Sequence, residues 1–155
     1  MSKSEIRQAN PGDTNVLIDF NREMARETEG KELDAELITA GVRALLENPT
    51  LGFYVVAEID GEVAGSLMIT TEWSDWRNGK FWWIQSVYVK PEYRRRGIYR
   101  SLHEFVKEMA GKDSTICGFR LYVESENSVA QETYLSLGMH ETSYRLFEEL
   151  ENKTG

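Results

Sequence analysis

Between residues 53 and 89 the apolar residues follow a period of two. The stretches 53–57, 63–69 and 81–89 are rich in β-branched and aromatic side chains, and Asp60-Gly61 and Asn78-Gly79 punctuate the run. A two-residue turn needs positive φ, which Asn-Gly and Asp-Gly supply most readily, so the pattern predicts hairpins and hence an antiparallel meander. Pro91 ends the last strand, because its nitrogen has no hydrogen to give a sheet ladder.

Ahead of the meander the period is helical. After a short strand at 6–9, Asn10-Pro11-Gly12-Asp13 forms a turn in which Asp13 can cap a helix starting near Thr14. Val16, Leu17, Phe20 and Met24 line one face of that helix. Leu33, Leu37, Val42, Leu45 and Leu46 line a second one, which ends before Asn48-Pro49. Beyond the meander a basic turn leads into a helix at 98–110 with Leu102, Phe105, Val106 and Met109 on one side. A strand at 116–123 follows, then a helix capped by Asn127 and stopped by Gly138, and a last strand at 144–148. The expected order is β-α-α-β-β-β-α-β-α-β. This is an α/β chain of the α+β kind, and its 155 residues suit one domain, 1–155, with one core.

The N-terminal residues lack the apolar core of a secretory signal, and no run is long and apolar enough to span a bilayer; a cytoplasmic location without membrane attachment is expected. The single cysteine, Cys117, allows no intrachain disulfide, and no ligand spacing suggests a metal. Its place in a strand predicts a buried, inert thiol. A net charge of −8 argues against a nucleic-acid partner and fits a cationic one more easily. His103 and His140 stand far apart, with no triad pattern around them.

The strand, basic glycine-containing turn and helix of residues 87–102 form an arrangement that binds anions. First-turn N–H groups have no intrahelical partner, and the helix dipole favours negative charge. No P-loop and no G-x-G-x-x-G is present, which argues against a nucleoside triphosphate or dinucleotide. The run Arg94-Arg95-Arg96-Gly97-Ile98-Tyr99 resembles motif A of the GNAT acyltransferase superfamily, R/Q-x-x-G-x-G/A, and departs from it at Tyr99, where a small residue is usual. Residues 127–139 resemble motif B, N-x-x-A-x-x-x-Y-x-x-x-G-F/M, at Asn127, Ala130, Tyr134, Gly138 and Met139.

The resemblance implies a mixed, mostly antiparallel sheet that splays between the strand ending at Val89 and the strand ending at Val123, with acetyl-CoA as co-substrate in the gap. Pantetheine would pair with the backbone of Val87, Tyr88 and Val89. The pyrophosphate would lie at Arg94, Arg95, Arg96, Gly97, Ile98, Tyr99 and Arg100, with Asn127 and Ala130 also on the cofactor side. Tyr134 becomes the candidate general acid for the departing thiolate. Many relatives have a Glu base where this chain has Gln85. An amide cannot take a proton from an ammonium, so Gln85 is left to hold water or orient the amine, and Glu27 or Glu29 would act through water.

All four tryptophans flank Asn78-Gly79. Strict alternation would put Trp83, Gln85 and Val87 on one face and Trp82, Ile84 and Ser86 on the other. Trp73, Trp76 and Trp83 are candidates for an acceptor pocket, attracting a protonated amine by cation–π contact; filling core or a dimer interface is the alternative. The expected reaction is direct acetyl transfer to a small-molecule or peptide amine, without a metal and without an acyl-enzyme. A homodimer is the default expectation by analogy. The competing reading is a non-catalytic acyl-CoA-binding module, kept open by the glutamine at position 85.

Overall fold

A computed structural model describes residues 3–151. The chain divides into two compact units between Tyr122 and Val123. The first holds strands β1 (Ser4–Gln8), β2 (Phe53–Ile59), β3 (Glu62–Ser74), β4 (Gly79–Val89) and β5 (Ile116–Arg120), with helices α1 (Thr14–Glu29), α2 (Ala35–Glu47) and α3 (Ile98–Gly111). The second holds helix α4 (Ser128–Ser136).

The strands lie in the order β1-β2-β3-β4-β5; the first four are antiparallel to their neighbours and β5 runs parallel to β4. Both hairpins form, and Asp60-Gly61 is the expected turn with φ of 51° and 82°; the second loop is longer than expected, running over residues 75–78 with Asn78 at φ of 48°, and Gly79 is already the first residue of β4. Asp34 caps α2, its carboxylate accepting from the N–H groups of Glu36 and Leu37.

Alternation along the strands gives the sheet two apolar faces. On one, Tyr54 and Val56 pack with Leu17 of α1 and with Val42 and Leu45 of α2. On the other, Val55, Ala57, Leu67, Ile69, Trp82 and Ile84 pack with Ile98, Leu102 and Val106 of α3. At about 25 cal/mol per Å² of apolar area removed from water, these two layers are the main source of stability.

Strand β4 carries one residue more than its partner. Met68 of β3 opposes Gln85 and Ser66 opposes Tyr88, so two steps on β3 match three on β4, and Ser86 has φ of 51°. The bulge breaks the strict alternation expected for this strand. Trp83 and Gln85 share a face, but Val87 crosses to the α3 side with Val89, while Tyr88 turns toward α1 and packs on Phe20, ring centroids 5.0 Å apart. Such a shift is invisible to a period-two reading.

Two further expectations are corrected. Residues 144–148 form no strand: Tyr144 and Phe147 are exposed and no ladder includes them, although β-forming side chains are present. A strand exists only where a neighbour's N–H and C=O groups meet it. Cys117 is exposed: β5 is the last strand of the sheet, and Cys117 is the extra residue between Ile116, opposite Lys80, and Gly118, opposite Phe81. His103, by contrast, is buried, with its Nδ1 3.2 Å from the Tyr99 hydroxyl.

Arg7 of β1 ties the turn before α1 to the sheet. Its Nη1 and Nη2 donate to the two oxygens of Asp13 at 2.8 and 3.0 Å, and Asp13 also accepts from the Asn10 N–H at 2.8 Å. The Arg7 hydrogen bonds outweigh burial and hold the Asp13 carboxyl below its usual range. A depressed carboxyl pKa contributes stability that is complete above the unfolded value, about 3.9, and is lost as pH falls through the folded value. Asp13→Asn should therefore lower the unfolding free energy by about 1–3 kcal/mol at pH 7, with the deficit shrinking as pH falls below 4, as urea titrations at the two pH values would show.

Candidate active site

The turn after β4 is shaped by two left-handed residues. A short 3-10 turn at Pro91–Tyr93 leads to Arg95 with φ of 64° and Gly97 with φ of 75°, from which α3 starts. An added Cβ at Gly97 would meet nothing within 4 Å, so backbone conformation, and not crowding by the protein, favours glycine there. No side chain caps α3. The helix starts from a cationic loop that includes Arg95, Arg96 and Arg100, all exposed. Alternating backbone conformations of this kind aim successive N–H groups into a concavity that suits a phosphate. Tyr99, the departure from the motif, turns toward His103 on its own helix, with ring centroids 5.7 Å apart.

Arg94 is used differently from its neighbours. Its Nε donates to the Val89 carbonyl and its Nη2 to Glu27 Oε2, both at 2.8 Å, with the guanidinium 5.5 Å from the Tyr88 ring centroid. The Tyr88 hydroxyl donates to the other Glu27 oxygen at 3.2 Å. Burial, then the Glu27 charge, pushes the Tyr88 phenol above its ordinary pKa. Glu27, expected near the acceptor, joins the end of α1 to β4 and to the loop after it through Tyr88 and Arg94. Glu29 is exposed in the last turn of α1.

Pairing between β4 and β5 runs from Lys80 with Ile116 to Trp83 with Arg120 and stops there. Beyond that point β4 continues for six residues without β5, paired only with β3, through the bulge. At the point of parting, Glu72 Oε1 accepts from Trp83 Nε1 at 2.8 Å and from Arg120 Nη1 at 3.0 Å. Arg120 stacks on Phe81, 3.8 Å from the ring centroid, and Tyr122 lies 6.2 Å from the Trp83 ring. Gly118 makes room: a Cβ there would sit 2.8 Å from the Phe81 ring. The Trp83 N–H, with help from Arg120, keeps the Glu72 carboxyl below its usual pKa. Gln85, half-buried, is the next residue on the Trp83 face.

The remaining tryptophans divide. Trp82 is buried against Phe53 and Phe119, whereas Trp73 and Trp76 are exposed at the tip of the β3–β4 hairpin, Trp76 by 89%. Sequence reading missed Glu72, Phe81, Gly118 and Arg120. The available signal was charge in the middle of otherwise apolar strands, which is costly unless paired.

In the second unit, Asn127 caps α4, its side-chain oxygen accepting from the Ala130 N–H at 3.1 Å. Tyr134 follows two turns later, and burial raises its phenol pKa. Among the described residues no group of three or more His, Cys, Asp or Glu side chains is placed to hold a metal, and no helix is long and apolar enough to cross a membrane.

A mostly antiparallel sheet whose parallel edge strand breaks away, beside an uncapped helix N-terminus in a basic loop, defines a class of acyl-group transferases. Residues 16–139 match the model of the Acetyltransferase (GNAT) family, and the chain belongs to that family. It is 34% identical over 148 residues to thialysine N-ε-acetyltransferase of Sus scrofa, covering 89% of this chain and 85% of that protein. Its fold matches a possible acetyltransferase from Clostridium difficile 630 with TM-score 0.90 and 48% identity, covering 97% and 99% of the two chains. A predicted acetyltransferase from Clostridium acetobutylicum, solved with acetyl-CoA, shares the fold at TM-score 0.77 and 19% identity over 95% and 96% of the chains. The protein is an acyltransferase enzyme of the N-acetyltransferase type.

The link from Glu27 to Arg94 predicts a binding effect without a chemical one. Glu27→Gln should weaken the hold on Arg94 and raise the KM for acetyl-CoA about three- to tenfold, with kcat changing less than about twofold, in steady-state kinetics. A collapse of kcat would instead assign Glu27 to proton transfer.

Proposed function

We propose that the enzyme moves the acetyl group of acetyl-CoA to the primary amine of a small molecule by direct attack in a ternary complex, with Tyr134 as general acid. The observation that carries this reading is the uncapped start of α3 at the end of the bulged strand that parts from β5. Anionic pyrophosphate suits the α3 N–H groups, with Arg95, Arg96 and Arg100 adding charge. The backbone of Val87–Val89 pairs with pantetheine, and an N–H beside the bulge polarises the thioester carbonyl, where oxyanion charge develops.

The neutral amine attacks the thioester carbon, the C–N bond forms, and the C–S bond breaks. The attacking nitrogen becomes cationic and strongly acidic, while the departing sulfur gains a negative charge. Tyr134 gives its phenolic proton to that sulfur and regains one released by the nitrogen, so no net proton remains on the enzyme. A phenol held above its ordinary pKa stays protonated at neutral pH, as the role requires.

Gln85 orients the amine or a water but does not deprotonate it. Glu27 is already engaged with Arg94 and Tyr88, which favours bulk water, or Glu29 through water, as the proton sink. Trp83 and the exposed Trp73 and Trp76 form the aromatic approach for the acceptor. The similarity to the thialysine enzyme supports a small amine and not a protein lysine.

Tyr134→Phe should lower kcat by about 10²–10⁴-fold while acetyl-CoA still binds, measured as CoA release across an amine panel and as acetyl-CoA affinity by calorimetry. Unchanged kcat would remove Tyr134 from the proton path.

A further inference from the structure

We infer that Arg120, stacked on Phe81 and tied to Glu72 where β4 and β5 part, receives a carboxylate of the acceptor, so that the acceptors are amines of the amino-acid class. This rests on the acetyl-transfer reading and narrows its substrate.

Arg120 is held in place without being used up. Glu72 takes hydrogen bonds only from its Nη1, at 3.0 and 3.2 Å to the two oxygens, and no described residue accepts from its Nε or Nη2. The side chain is 27% exposed, and Phe81 lies against the guanidinium plane. A guanidinium pre-set in this way matches a carboxylate's two oxygens and loses little side-chain freedom on binding.

Glu72 is a poor site for the acceptor's ammonium. Its Oε1 already accepts from Trp83 and Arg120, and its Oε2 is within reach of the same Arg120 nitrogen. A second guanidinium, Arg77, lies 5.0 Å from the Phe81 centroid, so Arg77, Arg120 and Glu72 together leave one net positive charge around that ring. The nearby Asp75 turns back on the Trp76 N–H in the hairpin. In a chain of net charge −8 the sign is locally reversed, as an anionic group on the ligand would require.

The location fits as well. Trp83 and Arg120 are the last paired residues before the strands separate, and Gln85 follows Trp83 on the same face. Two residues of strand span about 7 Å, a separation that suits an acceptor whose reacting amine lies several bonds from its carboxylate.

The test compares lysine, lysinamide and 1,5-diaminopentane, which share a terminal amine and differ in the carboxylate. The wild-type enzyme should favour lysine over lysinamide by about ten- to a hundredfold in kcat/KM, the range expected for a charge-assisted contact. Arg120→Gln should bring the two within about threefold, Arg120→Lys should keep part of the preference, and Glu72→Gln should retain it. Circular dichroism would establish that each variant is folded. A wild-type preference for the diamine or the amide, or a lysine preference that survives in folded Arg120→Gln, would overturn the inference while leaving acetyl transfer intact. If no amine turns over, the acetyl-transfer reading fails and tryptophan fluorescence decides separately. Lysine binding to the CoA complex, absent for lysinamide and lost in Arg120→Gln, supports the carboxylate site, and no lysine binding overturns it.

Discussion

Hydrogen bonding between β4 and β5 ends at Trp83 and Arg120, and much of the architecture follows from that limit. A parallel pair needs both strands to keep a common direction, and β4 departs from it when one extra residue enters at Ser86. Past that point the strand's polar groups on the β5 side are left for another partner. The same extra residue rotates Tyr88 onto α1 and Val87 onto α3, so a local change in count decides which helix each side chain serves. Arg94 then returns from the loop to the Val89 carbonyl and to Glu27, fixing the end of the strand in relation to α1.

Much of the fold was legible because its signals are local. Asp60, Gly61 and Asn78 adopt the positive φ that hairpin turns need, and Leu102 and Val106 lie on the predicted buried stripe of α3. The exceptions are non-local. The bulge is a mismatch between two strands and leaves no mark in either alone. Residues 144–148 have the composition of a strand, but a strand also depends on a neighbour. The exposure of Cys117 follows from the rank of β5 in the sheet, which composition does not encode.

For the site, the basic turn and Asn127 were readable because backbone geometry imposes residue type: an αL residue before α3 favours glycine, and a cap needs a side-chain acceptor. Glu72 and Arg120 were not, since they lie 48 residues apart and acquire meaning only when two strands bring them together. Glu27 was noticed for its charge, but its engagement with Arg94, 67 residues away, could not be read from the sequence.

The lone exposed thiol has a practical side. A reagent that reports free CoA by reacting with sulfhydryl groups will also find Cys117 on the outer strand. That contribution is limited to one equivalent per chain and does not grow with substrate consumed, so it appears as an early offset beneath a steady rate. The same single reactive position offers a place to attach a spectroscopic label to β5, on the strand whose separation from β4 shapes the site.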